Sequence, residues 1–293
     1  MKVKKFTVLL LAVCLFTSGC VPTDVTQQSP TPAPIETPAT INTPAPVETD
    51  APGETVQYSV METDTLFEAD VDGDGALETL LFTAEEDEDS IFGTSLYLTV
   101  TKGGAEQKIK VSPAAFHCAY YMEAGNKRGI AVTGSYENDY MQTSILAFEG
   151  TNVKELSVTD GGIMSVEGST VVLNDVLFAL GTWAVEIEYV MTPDLELIPA
   201  EGKEWTIYGC DNPLTVKKEL PVEFETDACT YGPETLPIGT QIWLVSGDGE
   251  SFVRFTTEDG RIGRLFYTMV DGNALLVDGT PETDWLDGIV YAG

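Results

Sequence analysis

From about Val56 onward the chain is a succession of short runs rich in β-branched and aromatic residues, each closed by a Gly, Asp or Asn turn. This rhythm restricts what the chain can fold into more than any other feature. Leu77 to Phe82, Ser95 to Val100, Ile130 to Thr133, Thr143 to Phe148, Thr170 to Leu173, Val185 to Val190, Gln241 to Val245, Phe252 to Thr256 and Ala274 to Val277 read as strands. Lys102-Gly103-Gly104, Glu149-Gly150, Asp248-Gly249, Asp259-Gly260 and Asp271-Gly272 read as turns between them. No segment keeps a 3.6-residue apolar period through three capped turns, and Pro113 to Glu123 is the best helix candidate. Many strands at this spacing, with little helix between them, predict an all-β fold of antiparallel sheets in a sandwich, barrel or propeller-like arrangement.

The first 55 residues follow different rules. Lys2, Lys4 and Lys5 precede an apolar run from Phe6 to Phe16 and the small pair Ser18-Gly19, immediately before Cys20. The run is too short to cross a bilayer core, so residues 1–19 read as a secretory signal. Thr17-Ser18-Gly19-Cys20 resembles the lipobox of bacterial lipoproteins, with Thr17 where Leu is usual. That resemblance implies acylation of Cys20, an anchor in the membrane and an extracytoplasmic location at the cell surface. An ordinary secretory signal with an incidental cysteine is the alternative. Residues 20–55 carry half of the sixteen prolines and many threonines, with almost no large apolar side chain. Such a segment buries too little surface to offset chain entropy, so it reads as a disordered, semi-extended tether. At about 3.1 Å per residue in polyproline geometry it reaches on the order of 100 Å.

Charge narrows the partners. With 47 Asp+Glu against 15 Lys+Arg the chain carries −32, and removal of a leader holding three lysines makes the remainder more acidic still. Nucleic acid and anionic lipid surfaces are repelled at long range by such a body, whereas cations and positively charged partners are attracted. The inventory also excludes some chemistry. His117 is the one histidine, so a His-rich zinc cluster and a Cys-His-His peptidase site are not available. No Gly-x-Ser-x-Gly elbow, phosphate loop or dinucleotide fingerprint occurs. A glycosidase needs only two carboxylates, which dozens of residues could supply, and no particular pair stands out.

The sharpest local pattern is Asp70-Val71-Asp72-Gly73-Asp74-Gly75-Ala76-Leu77-Glu78. A hard cation such as calcium takes six to eight oxygens, which one loop supplies only by curling around the ion. Carboxylates at alternate positions (Asp70, Asp72, Asp74), the Ala76 carbonyl and the Glu78 carboxylate form such a set, and Gly75 permits the bend. No acid stands at position twelve, where Leu81 falls inside a strand. The nine-residue form resembles the calcium loops of FG-GAP repeats in integrin-like propellers, which sit in a β-hairpin. Without a cation, four carboxylates in nine residues should strain or open the loop. At millimolar calcium and a dissociation constant of about 10⁻⁴ M, occupancy adds about 1.4 kcal/mol, the contribution of a structural staple. The run Glu85-Glu86-Asp87-Glu88-Asp89 lacks glycine and alternation and reads as a solvated acidic loop.

The last third resembles a bacterial SH3-like barrel. Leu214 to Phe224 supplies its first strands, Leu236-Pro237-Ile238-Gly239-Thr240 and Ser246-Gly247-Asp248-Gly249 its turns, and Glu258 to Gly263 the return. Trp285-Leu286 and Tyr291-Ala292-Gly293 resemble the tails of surface proteins that carry such barrels. Where relatives present an aromatic after the Gly of the last tight turn, this chain has Arg264, and no ligand residue is carried over. Trp243, Tyr231 and Phe266 read as barrel core more readily than as a groove. Cys118, Cys210 and Cys229 permit one bridge, Cys210 with Cys229 being closest in sequence, or stay as three buried thiols.

These readings converge on a signal (1–19), a tether (20–55), a calcium-loop β domain (56–208) and an SH3-like domain (209–293). The expected function is a lipid-anchored, calcium-stabilised, non-catalytic surface protein that binds peptidoglycan, a wall polysaccharide or another surface protein. A carbohydrate-active hydrolase with an unidentified carboxylate pair, and a purely architectural envelope protein, are the alternatives.

Overall fold

The computed structural model describes residues 56–90, 93–112, 115–135, 140–226, 230–270 and 274–291. The signal, the tether with Cys20, and Cys229 lie outside the described residues. What is described is all-β, with one four-residue helix, α1 (Glu282–Trp285).

Nine strands make the first two sheets: β1 (Gln57–Met61), β2 (Phe67–Ala69), β3 (Glu78–Glu86), β4 (Thr94–Lys102), β5 (Ala105–Val111), β6 (Ala115–Ala124), β7 (Lys127–Ser135), β8 (Met141–Glu149) and β9 (Asn152–Asp160). Strands β2-β3-β4-β5 form a four-stranded meander, and β1-β6-β7-β8-β9 form a five-stranded sheet, with every ladder antiparallel. The four-stranded sheet packs Leu80, Phe82, Leu96, Leu98 and Val100 against Ala119, Tyr121, Ile130, Val132 and Leu146 of the five-stranded one. The opposite face of the five-stranded sheet, with Met122, Ala124, Ala131 and Ile145, packs against a second core built by the rest of the chain. Its middle strands are therefore covered on both faces, which explains the unbroken buried run from Gly129 to Gly134 in place of a polar/apolar alternation.

That double burial accounts for one correction. The helix expected over Pro113 to Glu123 is absent: its described part belongs to β6, paired with β1 and β7. Odd-numbered Ala119 and Tyr121 enter one core and even-numbered Met122 and Ala124 the other. A strand apolar on both sides carries no period-two signature in sequence, so length and propensity misread it.

The remaining strands are β10 (Gly162–Glu167), β11 (Thr170–Phe178), β12 (Thr182–Met191), β13 (Leu197–Pro199), β14 (Trp205–Tyr208), β15 (Leu214–Val216), β16 (Leu220–Glu225), β17 (Tyr231–Leu236), β18 (Gln241–Gly247), β19 (Phe252–Thr257), β20 (Ile262–Phe266), β21 (Thr268–Val270), β22 (Ala274–Val277), β23 (Thr280–Pro281) and β24 (Leu286–Asp287). One long sheet runs β10-β11-β12-β14-β18-β19-β20-β16-β17. It passes straight through residue 208, where a domain boundary was expected. The short β14 pairs with β12 through Ala184, Val185 and Glu186 and with β18 through Gly247 and Ser246. The other half of β18 pairs with β15, through Ile242 and Gln241, and the register shift between Leu244 and Ser246 marks where it changes neighbours. A single apolar cluster joins Leu173, Val185 and Ile187 to Leu244, Val253, Phe255 and Leu265.

Buried hydroxyls fasten the five-stranded sheet to the long one. Thr133 Oγ1 and Thr143 Oγ1 lie 2.7 Å apart, Thr143 donates to the Gly161 carbonyl, and Thr133 accepts from the Ile163 N–H at 3.2 Å. Packing is equally close at Gly129, where a Cβ would stand 2.5 Å from the Leu146 carbonyl oxygen and 2.7 Å from Leu195 Cδ1. Gly129→Ala is expected to cost about 2 kcal/mol by overpacking, read as a lowered urea midpoint at unchanged slope; an unchanged midpoint would show that these layers yield freely.

Candidate cation site and a cationic sheet face

The acidic nine-residue pattern is the connection of the β2–β3 hairpin, closed by the Ala69–Glu78 pair. Gly73 and Gly75 both take positive φ, +77° and +86°, which a side chain would resist. Asp70 accepts the Gly73 N–H at 2.7 Å and the Gly75 N–H at 3.0 Å, and Asp74 Oδ1 accepts the Ala76 N–H at 2.8 Å. Val71 fixes the loop to the molecule: its side chain is buried in the first core, and its N–H donates to Glu78 Oε2 at 3.0 Å. Tyr121 supports it from the five-stranded sheet, its hydroxyl donating to the Asp70 carbonyl at 3.4 Å. Burial pushes the Tyr121 phenol well above its ordinary pKa.

Asp70, Asp72 and Glu78 each offer an oxygen within 4.8 Å of the others, a spacing that suits one hard cation. Asp74 stands at the exposed rim, and Ala76 lies beside it through the N–H bond above. Glu78 has no solvent exposure, and its Oε1 meets no hydrogen-bond donor other than a single ammonium. A buried carboxylate in that condition demands positive charge close by.

The charge is supplied by a residue the motif did not reveal. Lys102 pairs through Nζ with Asp72, with Asp74 Oδ2 at 2.6 Å and with Glu78 Oε1 at 3.1 Å. These bonds, Asp72 first, hold the Lys102 ammonium far above its usual pKa, and Lys102 in turn depresses Asp74. The loop is thus closed and internally bonded, and the expected opening of four mutually repelling acids is not what the structure displays. The missing signal was register: Thr79 pairs with Thr101, so the next position outward sets Glu78 across from Lys102.

The neighbouring acidic run is solvated as expected at Glu85, Glu86, Glu88 and Asp89, while Asp87 is half-buried and the first two residues belong to a strand. Glu85 and Glu86 end β3, and Lys108 of β5 pairs with Glu85. Lys110 reaches Asp87 at 2.7 Å, Ser95 Oγ donates to it at 2.6 Å, and the Asp89 N–H donates at 3.0 Å. In that order, these partners pull the Asp87 carboxyl down to about 2.

A second constellation lies on the outer face of β16, β20 and β19. Three of the chain's four arginines fall between residues 254 and 264. Arg254 and Arg264 are directly opposed across β19 and β20, with Phe252 opposite Phe266 beside them. Arg264 donates from Nε and Nη2 to Glu223 Oε2 at 2.8 and 2.7 Å and lies 4.1 Å from the Tyr231 ring centre and 5.1 Å from that of Phe266. Arg254 is tied to Glu204 at 2.8 Å, and Arg261 to Glu234 at 2.6 Å while stacking 3.6 Å over Phe224. Tyr231 and Phe266 are therefore not barrel core; Phe266 is 43% exposed. Trp243 is half-buried. A separate open groove of about 660 Å³ is lined by Phe224, Pro237, Thr240, Thr257, Asp259 and Arg261.

The described cysteines, Cys118 and Cys210, are free thiols, half-buried, their pKa raised by burial. His117 is exposed at a register shift in β6. Comparison with protein-family models, curated proteins and solved structures returned no match.

Asp87 gives a pH test. A carboxyl depressed by folding adds stability above its unfolded pKa of about 3.9, lost as pH falls through about 2. Asp87→Asn is therefore expected to melt a few degrees lower than wild type at pH 7, roughly the scale set by a modest ion-pair loss. The two melting curves should converge as pH approaches 2, and a gap constant with pH would remove the carboxylate from the argument.

Proposed function

We propose that this chain is a lipid-anchored, extracytoplasmic surface protein, stabilised by calcium in the Asp70–Glu78 loop, that binds a cell-wall component or another surface protein without catalysing its turnover. The support for the anchor is the leader that ends in Ser18-Gly19-Cys20 and the proline-rich segment after it. The support for calcium is the oxygen set of Asp70, Asp72 and Glu78, with Asp74 and the Ala76 carbonyl as the further ligands the loop pattern implies. Calcium there supplies charge to a buried carboxylate and ties β2 to β3. The FG-GAP-like and SH3-like comparisons belong to this same reading.

The observation that carries the binding role is the outer face of β16, β20 and β19. Aromatic rings interleaved with half-exposed guanidinium groups on a sheet offer stacking surface and spare N–H donors together. In so acidic a chain, that is where polar, carboxylate- or hydroxyl-rich groups are met by donors. A protein domain and a decorated polysaccharide both display such groups.

One observation favours the hydrolase reading. Asp175 lies between Leu173 and Leu177 on β11 and lines a cavity of about 250 Å³ with Tyr140, Asn174 and Tyr208. Burial raises its pKa, and the charge of Asp160 adds to the shift, as a general acid requires.

Sedimentation of the protein with cell-wall sacculi, scored for retention and for released soluble fragments, separates the readings. Retention without release, reduced at least about fivefold by Arg264→Ala or Tyr231→Ala, is expected, each being a stacked contact whose loss is of order 1 kcal/mol. Fragment release that disappears in Asp175→Asn would establish the hydrolase instead. The anchor is tested separately: Cys20→Ala should move the protein from the membrane fraction to the soluble one, and an unchanged distribution would refute acylation.

A further inference from the structure

We propose that the Asp70–Glu78 loop is a one-cation cage which Lys102 and a divalent ion occupy in turn, so that calcium enters by displacing the Lys102 ammonium. This rests on the calcium reading above and adds a mechanism to it.

The first argument is space. The ammonium lies 3.1 Å from Glu78 Oε1 and 2.6 Å from Asp74 Oδ2 and also pairs with Asp72. A calcium ion needs Asp72 and Glu78 too, at about 2.3–2.6 Å. Both cations on the same oxygens would stand only a few ångströms apart, where like charges repel strongly. Occupancy is therefore exclusive.

The second argument is Glu78. It has no exposure, and its Oε1 has no polar partner apart from Lys102 Nζ at 3.1 Å, so one positive charge or another must sit beside it whenever the loop is folded. Lys102 meets that requirement from within the chain. Asp70 completes the asymmetry: its carboxylate is held by the Gly73 and Gly75 N–H groups and makes no ion pair with Lys102. It is the oxygen donor that a multiply coordinated metal would use and an ammonium with three N–H bonds does not.

The third argument is the exit. Lys102 is the last residue of β4, followed by the turn residues Gly103 and Gly104 at φ +56° and +87°, and its side chain is 34% exposed. Rotation about its side-chain bonds carries the ammonium to water with the backbone pairing of β3 and β4 unchanged. Calcium affinity is then set by competition with a tethered rival, and the hairpin stays folded with either occupant.

Calorimetric titration of calcium into the full chain and into Lys102→Met tests this. Removing the rival should tighten calcium binding at least about tenfold, as expected when a competing occupant is eliminated. In chelator the variant should melt below wild type, and in millimolar calcium it should match or exceed it. A readout on wild type covers a variant that fails to fold without calcium: acylation mapped by mass spectrometry should label Lys102 more readily once calcium is added, with Lys108 as an unchanged control. Equal calcium affinities, or Lys102 labelling indifferent to calcium, would overturn the displacement while leaving the calcium site standing. No binding by either protein would bring down the calcium site and this inference together. Binding by Lys102→Met alone would overturn the displacement and the calcium reading of the natural chain, leaving Lys102 as the permanent occupant of the cage.

Discussion

The five-stranded sheet β1-β6-β7-β8-β9 has no solvent face along its middle strands, and the layering follows from that. A sheet apolar on both sides must be covered twice. The four-stranded meander covers one side, and strands from the long sheet, with Leu195 at the end of the β12 region, cover the other. Backbone polar groups are satisfied by the ladders, leaving few places where a hydroxyl survives inside. Thr133 and Thr143 do so by bonding one another and the chain at Gly161 and Ile163, which turns a desolvation cost into a junction between sheets.

Charge is arranged under a related scarcity. With so few cations in the chain, most of those that the fold positions are set against particular carboxylates. Lys102 neutralises Glu78, the one glutamate without exposure among the described residues, Lys108 and Lys110 moderate the acidic end of β3, and Arg254, Arg261 and Arg264 are each held by one glutamate and laid against a ring. Exposed pairs of this kind add little stability. Their larger effect is orientation: a guanidinium clamped by Glu223 and stacked on Tyr231 presents its remaining donors in a fixed direction.

Much of this was legible in sequence, for identifiable reasons. Strands such as β4, β11, β12, β18 and β19 combine β-branched residues with sharp turns, and the structure places every end of them within five residues of the expected limit. Strands β5 and β9 are polar along most of their length and sit at sheet edges, so their apolar content was too low to register. β6 was misread for the opposite reason, being apolar on both sides. The hairpin loop could be located because its spacing is local. Lys102 and the Arg254–Arg264 pair could not, because each depends on which strands lie side by side, and no short motif encodes a register. The continuity of the sheet through β14 was hidden in the same way: four residues with neighbours near positions 185 and 246 look like part of a connection.

The position of β1 has a consequence for how the chain reaches this state. β1 is the first of the described strands to be synthesised, yet it lies at the rim of its sheet and its ladder partner is β6, whose first residue comes roughly fifty positions later. Strands β2 to β5 can zip as neighbours while β1 waits, with Met61 uncovered and its hydrogen-bonding edge vacant. During translation that interval is when the newborn polypeptide is most exposed to wrong partners, and β1 becomes the final latch on the two sheets it helps to close.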